Sequence, residues 1–187
     1  MTCMNKEISE YYKKRITIAT CDKLGNITGE IERWEAHEKG ILHRAFTVAL
    51  LYKNKIIIQH RKHPVFNGVF DVTSSSHQTY SKGIFQNTIE ATYKTLEREW
   101  NLNEKDLLEK PKDLGTVYYK AKDKFSIYWE HEVCNIVTVK VKKLPEIVEE
   151  VAYGMSLVYA KDLKDTNSRL YQNLAPWVKV MIEKKFL

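Results

Sequence analysis

Most of this chain alternates β-branched or aromatic residues with polar ones, a period of two that puts successive side chains on opposite faces of a pleated strand. In "RITIATCDKLGNITGEIERW" the alternation runs on both sides of the turn-forming stretch Asp22-Lys23-Leu24-Gly25-Asn26, which reads as a β-hairpin. A second hairpin, "AFTVALLYKNKIIIQHR", turns at Lys53-Asn54. Extended pieces recur at "VFDVTSSSH" after Gly68, and at "GTVYYKA", "SIYWEHEVCNIVTVKVK" and "SLVYA". Only two segments carry helical spacing. From about Lys82 to Trp100, Ile84/Phe85, Ile89, Tyr93, Leu96 and Trp100 recur every three or four residues, and near the C-terminus Leu170, Leu174, Trp177, Val178 and Met181 share one face of a final helix. The order β-rich, helix, β-rich, helix predicts an α/β chain with a mixed sheet flanked by helices.

The 187 residues are about what a single core organises, and the four prolines and seven glycines are spread singly without linker or repeat. One domain over residues 1–187 is expected. The longest apolar stretch, Ala45 to Tyr52, is far short of the roughly 20 residues of a bilayer-spanning helix. The opening "MTCMNKEISEYYKK" has no apolar stretch after its charges, so a soluble, unexported chain is expected. Cys3, Cys21 and Cys134 are scattered and form no CxxC pair, which argues against a disulfide framework or a thiolate zinc site and fits a reducing cytoplasm. The 30 basic and 24 acidic residues interleave, with no like-charged run longer than Lys13-Lys14-Arg15 and otherwise pairs such as Lys184-Lys185. Dispersed charge of this kind argues against a nucleic-acid or membrane partner; a few convergent cations suit a small anionic ligand.

In the run Glu130-His131-Glu132-Val133-Cys134, strand geometry puts Glu130, Glu132 and Cys134 on one face and His131 on the other. Two carboxylates on one face describe either a solvated surface or a buried pair with partners. His37, His43 and His77 are the histidines that would complete a divalent site of the borderline-hard kind, suited to Mn, Fe, Zn or Mg. Each by itself is more often a capped surface histidine than a ligand.

These residues fall within a longer resemblance. The run "ITIATCDKLGNITGEIERWEAHEKGILHRAF" contains a G-x-x-T-G-x-x-x-R segment, then "AH", then "LHRAF". Farther on come Ser75-Ser76-His77, where C-x-H is the pattern, Glu130-His131-Glu132-Val133-Cys134 for E-x-E-V-C, and Pro176-Trp177. In this order, over about residues 15 to 183, the chain resembles the type I isopentenyl-diphosphate isomerases of the Nudix superfamily. The resemblance implies a Nudix-like α/β/α sandwich and a small-molecule diphosphate substrate, in a monomer or homodimer. It implies His37, His43, His77, Glu130 and Glu132 as ligands of one divalent ion (Mn²⁺, Zn²⁺ or Fe²⁺), with Glu99 helping to hold a second, Mg²⁺. Arg33 and Arg61 would clamp the diphosphate, with Lys62 a third charge. Glu132, assisted by Tyr119, would be the acid, and Trp177 the electron-rich wall facing a carbocation.

Two departures stand out. Ser75 occupies the place of a proton-transferring cysteine, and a hydroxyl needs a neighbouring base where a thiol does not. Asp71-Val72 replaces a T-N pair in the same motif. Setting "KTLEREWNL" on the Nudix hydrolase box leaves Lys94, Thr95, Arg98 and Asn101 where Arg, Glu, Glu and Gly belong, and Gln86 where an upstream Glu belongs. That weakens the case for water activation by clustered carboxylates. The expectation is therefore an isomerase with altered proton transfer; the alternatives are a hydrolase of isoprenoid or nucleotide diphosphates and a non-catalytic diphosphate-binding homologue.

Overall fold

The computed structural model describes residues 11–187; of the cysteines, Cys3 lies outside the described residues. Strands β1 (Thr17–Cys21) and β2 (Ile27–Glu32) form the first predicted hairpin. Its turn is fixed by the Asp22 carboxylate, which accepts the backbone N–H groups of Leu24 and Asn26, each at 2.9 Å. Helix α1 (Arg33–Lys39) leads into β3 (His43–Tyr52), and β4 (Lys55–Arg61) follows after Lys53 and Asn54, both at positive φ as a tight hairpin turn requires.

The second hairpin is paired only next to its turn, at Leu51↔Ile56 and Tyr52↔Lys55. Beyond that the strands fork. Next in the chain come β5 (Phe70–Val72) and β6 (Ser74–Ser76), separated by Thr73 at φ 67°. Strand β5 pairs β4, whereas β6 pairs β3. The Thr73 hydroxyl sits in the fork, donating to the Ile57 carbonyl of β4 at 2.7 Å and accepting the Leu50 N–H of β3 at 3.0 Å. Hydrogen-bonding groups released by the fork are thus satisfied.

A small hairpin of β7 (Tyr80–Ser81) and β8 (Ile84–Phe85) precedes α2 (Thr88–Trp100). The helix therefore begins six residues after the predicted Lys82. Lys82 and Gly83 both hold positive φ and close the hairpin, and Asn87 starts the helix by accepting the Glu90 N–H at 2.9 Å. Strands β9 (Lys112–Lys122) and β10 (Trp129–Lys140) are antiparallel neighbours, and β11 (Ala152–Val158) adds to β4. The predicted single final helix is two, α3 (Arg169–Gln172) and α4 (Pro176–Glu183). The break is held to β5: the Phe70 N–H donates to the Asn173 carbonyl and the Ala175 N–H to the Phe70 carbonyl. Pro176, lacking an N–H, fits the first turn of a new helix.

Strand β3 is the hub. It runs parallel to β10 on one side and antiparallel to β6 on the other. Its alternate residues feed two cores. Ala45 and Ala49 pack with Ile136, Trp177, Val178 and Met181 under α4, while Phe46, Val48 and Leu50 pack with Leu96 and Trp100 of α2. The result is the expected α/β sandwich, a mixed sheet between helices. Among the described residues, Cys21 and Cys134 are free and buried, and no helix is long and apolar enough to cross a membrane.

Candidate metal centre and active site

Strand register assembles the heart of the site. In the parallel β10–β3 pair Glu132 lies opposite His43, and in the antiparallel β10–β9 pair it lies opposite Tyr119. His43, Glu132 and Tyr119 therefore form a row across three strands. Glu130 lies two residues back on the same face, and His77 follows the end of β6, across β3 from Glu132. His37 comes from α1, which is short because Glu32 caps its start and Gly40 ends it in the left-handed conformation. A β-carbon at Gly40 would lie 3.3 Å from the Trp129 ring. That close approach brings the Trp129 carbonyl 2.9 Å from His37 Nδ1.

One ligand atom each from His37, His43, His77 and Glu130 falls within a 4.8 Å cluster. His43 Nε2 and His77 Nε2 are 3.2 Å apart, and Glu132 Oε1 is 3.4 and 3.3 Å from them. The Nδ1 atoms of His37 and His43 are held by the carbonyls of Trp129 and Ile41, which orients the rings through their other nitrogens. Both carboxylates are buried, at 3% exposure for Glu130 and 4% for Glu132, which excludes the solvated-face reading of β10. His131, on the opposite face as expected, bonds instead to the Gly40 carbonyl and the Tyr118 hydroxyl.

The electrostatics suit a cation. Burial, with the charge of Glu132, pushes Glu130 well above the usual carboxylate range. Burial also works on Glu132, but hydrogen bonds from His43 and His77 outweigh it and hold that group low. Burial keeps His37 well below the ordinary imidazole value and His77 at about 4, so both rings are neutral, the state a metal ligand needs. Glu130 Oε2 is buried with no hydrogen-bond partner. Neutral imidazoles, two buried carboxylates and an orphaned carboxylate oxygen fit one divalent ion.

The wall around the cluster encloses about 20 Å³. Ser75, Tyr119, Arg33, Arg61, Glu99 and Trp177 all line it. Tyr119 donates its hydroxyl proton to Glu132 Oε2, and burial followed by the charge of Glu132 raises that phenol well above its usual value, keeping the donor protonated. Arg33 Nη2 donates to the carbonyls of Tyr11, Tyr12 and Lys14, which ties this stretch to the pocket wall that Tyr11 and Tyr12 help to line; the Trp34 indole N–H adds a 2.9 Å bond to the Tyr12 carbonyl. Arg61 pairs with Asp71 at 3.3 Å. Glu99 is engaged on both oxygens, by Ser74 at 2.9 Å and Arg98 at 2.6 Å. Lys62 is not brought to the pocket: it is exposed and donates to the Glu149 carbonyl, since its neighbour Arg61 takes the inward direction on leaving β4.

Some residues in or beside the pocket had no role assigned from the sequence. His63 packs edge-on against Tyr12 at 4.8 Å, and Arg98 stacks 4.0 Å from the Tyr11 ring. Asp71 is completely buried beneath Ser75 and Trp177, accepting the Ser75 hydroxyl and the Trp177 indole N–H, each at 2.8 Å.

No family model matches the chain. It is 26% identical over 159 residues to human isopentenyl-diphosphate delta-isomerase 2, across 79% of this chain and 70% of that protein. In fold it is similar to DR0079 of Deinococcus radiodurans, with a TM-score of 0.67 at 13% identity, covering 90% of this chain and 98% of that one. It is also similar to a MutT Nudix hydrolase from Burkholderia pseudomallei, with a TM-score of 0.55 at 14% identity, covering 76% and 96%. The fold is Nudix-like.

Proposed function

We propose that this chain, Nudix-like in fold and similar in sequence to an isopentenyl-diphosphate isomerase, interconverts isopentenyl and dimethylallyl diphosphate with a divalent cation. The observation that carries the reading is the convergence of His37, His43, His77 and Glu130 within 4.8 Å, in the pocket that also holds Glu132, Tyr119 and Trp177. His37, His43, His77, Glu130 and Glu132 are the residues that would hold the ion, Mn²⁺ being the natural candidate, with Glu99 reserved for Mg²⁺ beside the diphosphate. Bound there, such an ion supplies positive charge that neutralises the carboxylate pair and sharpens the acidity of a protonated Glu132.

The chain's own groups supply the rest. Glu132, which His43 and His77 hold ionised, acts as the acid only after taking up a proton from water, and then gives that proton to the terminal alkene carbon, steadied by the Tyr119 hydroxyl. The Trp177 ring lies against the tertiary carbocation-like state, a contact worth about 2 kcal/mol when desolvated. Arg61 and Arg33 meet the diphosphate. A proton then leaves toward Ser75, which stands on β6, on the other side of β3 from Glu132.

The hydrolase reading is less well supported by α2. Glu99 lines the pocket, but Glu97 is exposed and Glu90 is tied to Lys94 at 2.8 Å on the surface, so the helix offers no carboxylate cluster to the site. Incubation with isopentenyl diphosphate, Mn²⁺ and Mg²⁺, followed by proton and phosphorus NMR, separates the readings. Dimethylallyl diphosphate is the expected product. Release of phosphate or pyrophosphate without it would overturn the isomerase reading in favour of hydrolysis, and ligand-induced stabilisation without any product would favour a binding protein.

A further inference from the structure

We infer that Asp71 and Ser75 form a two-residue proton relay, Ser75 taking the proton that leaves the substrate as it passes its own hydroxyl proton to Asp71. This rests on the isomerase reading above and supplies the base that a serine at position 75 lacks by itself.

The geometry is specific. Ser75 Oγ donates to Asp71 Oδ2 at 2.8 Å and has Thr47 Oγ1 at 2.8 Å on its other side. With its proton committed to Asp71 and one lone pair to Thr47, the hydroxyl keeps a second lone pair for the pocket that Ser75 lines. Asp71 itself lines no part of that pocket and is fully buried; of its pocket-lining partners Arg61, Trp177 and Ser75, the Ser75 hydroxyl is the one that can accept one proton while passing on another. Four donors converge on its carboxylate: the Val72 N–H and the Trp177 indole N–H on Oδ1, Ser75 and Arg61 on Oδ2. That arrangement fits an ionised acceptor, while burial raises its basicity against the opposing pull of Arg61. The two departures from the resembled motif, Asp71 and Ser75, are therefore in contact with each other. Positive-φ Thr73 between them lets β5 and β6 diverge and brings the residues together.

The step balances without an external reagent. The allylic C–H bond next to the cationic centre breaks and its electron pair becomes the new double bond. The proton forms an O–H bond at Ser75 Oγ as the original Ser75 O–H bond breaks, and that second proton protonates Asp71 Oδ2. Exchange with water deprotonates Asp71 and reprotonates Glu132 before the next turnover.

The test compares the metal-loaded wild type with Asp71→Asn, Ser75→Ala, Ser75→Cys and the Asp71→Asn/Ser75→Cys double variant. It measures solvent deuterium entering isopentenyl diphosphate, with thermal melting as a control for folding. Asp71→Asn and Ser75→Ala each lower the wild-type exchange rate by about 100-fold or more, the scale of a lost general base. A thiol at position 75 needs no partner, so adding Asp71→Asn to Ser75→Cys costs at most a few-fold. Ser75→Ala keeps Asp71 with Arg61 and Trp177, so it tests the relay even if Asp71→Asn fails to fold. Equal losses from Asp71→Asn in both backgrounds would make Asp71 merely structural and overturn the relay. Wild-type exchange indifferent to Asp71→Asn or to Ser75→Ala, or exchange seen only with Ser75→Cys, would also overturn it. Exchange absent from both wild type and Ser75→Cys would instead overturn the isomerase reading itself, and the relay with it.

Discussion

Replacing Trp177 with phenylalanine keeps a ring in the pocket and removes the indole N–H. Trp177 is 1% exposed, its Nε1 donates to Asp71 at 2.8 Å, and its ring packs against Phe66 and Tyr119. Loss of a hydrogen bond to a buried carboxylate costs about 1.5–3 kcal/mol. The smaller ring leaves a cavity that adds about 1 kcal/mol. Together these give roughly 2.5–4 kcal/mol, which for a chain of this size lowers Tm by roughly 5–15 °C. Urea unfolding of wild type, Trp177→Phe, Asp71→Asn and the double variant measures both the loss and its origin. A coupling of about 1 kcal/mol between the two positions is expected, because Trp177→Phe removes the donor and Asp71→Asn the charge of the acceptor in one bond. Additive losses, or a Trp177→Phe midpoint within about 0.5 kcal/mol of wild type, would refute the idea that the indole anchors Asp71.

Gly40→Ala forces a β-carbon onto a residue at φ 61°, 3.3 Å from the Trp129 ring, and shifts the carbonyl that orients His37. It should lower stability by about 1–2 kcal/mol and metal affinity by about tenfold, measured by thermal melting and Mn²⁺ titration; unchanged affinity would disprove the link between turn and ligand. Burial, then the charge of Arg61, holds His63 well below the ordinary imidazole value of 6.5. The folded state therefore binds fewer protons than the unfolded chain, and this contribution to stability is present above pH 6.5 and lost as pH falls below it toward the folded value. His63→Gln should flatten the acid limb of the urea midpoint against pH, and an unaltered slope would contradict this. Lys62→Ala should leave KM within about twofold because Lys62 lies outside the pocket, whereas Arg61→Lys should raise it about tenfold by losing the planar fork. Steady-state kinetics with isopentenyl diphosphate would expose the reverse order if Lys62 is the true anion contact.

Alternation in β10 already separated Glu130 and Glu132 from His131, but it could not say what covers a strand face. The carboxylates are met by His37 of α1 and by His43 and His77, contacts that link residues far apart in sequence. The residues that cluster, His37, His43, His77 and Glu130, could be singled out beforehand because the resemblance gives their order along the chain. Asp71 showed only as a departure from a motif, since its meeting with Ser75 depends on the fork at Thr73. Helix limits failed where local spacing misled: Ile84 and Phe85 match a helical period, yet they follow a two-residue turn whose backbone closes a hairpin. Leu170, Leu174 and Trp177 do pack into one core, but through two helices rather than one. Register then explains why distant residues share the site, since His43, Glu132 and Tyr119 are direct neighbours across three strands.

Everything proposed for this pocket depends on His37, His43, His77 and the two buried glutamates holding a divalent ion. Equilibrium dialysis against Mn²⁺, with the bound metal counted per chain, measures this directly. One tightly held ion per chain is predicted for the wild type, with its loss in a folded His43→Ala/His77→Ala variant. A wild type that retains no ion, or a double variant that retains it undiminished, would contradict the metal centre.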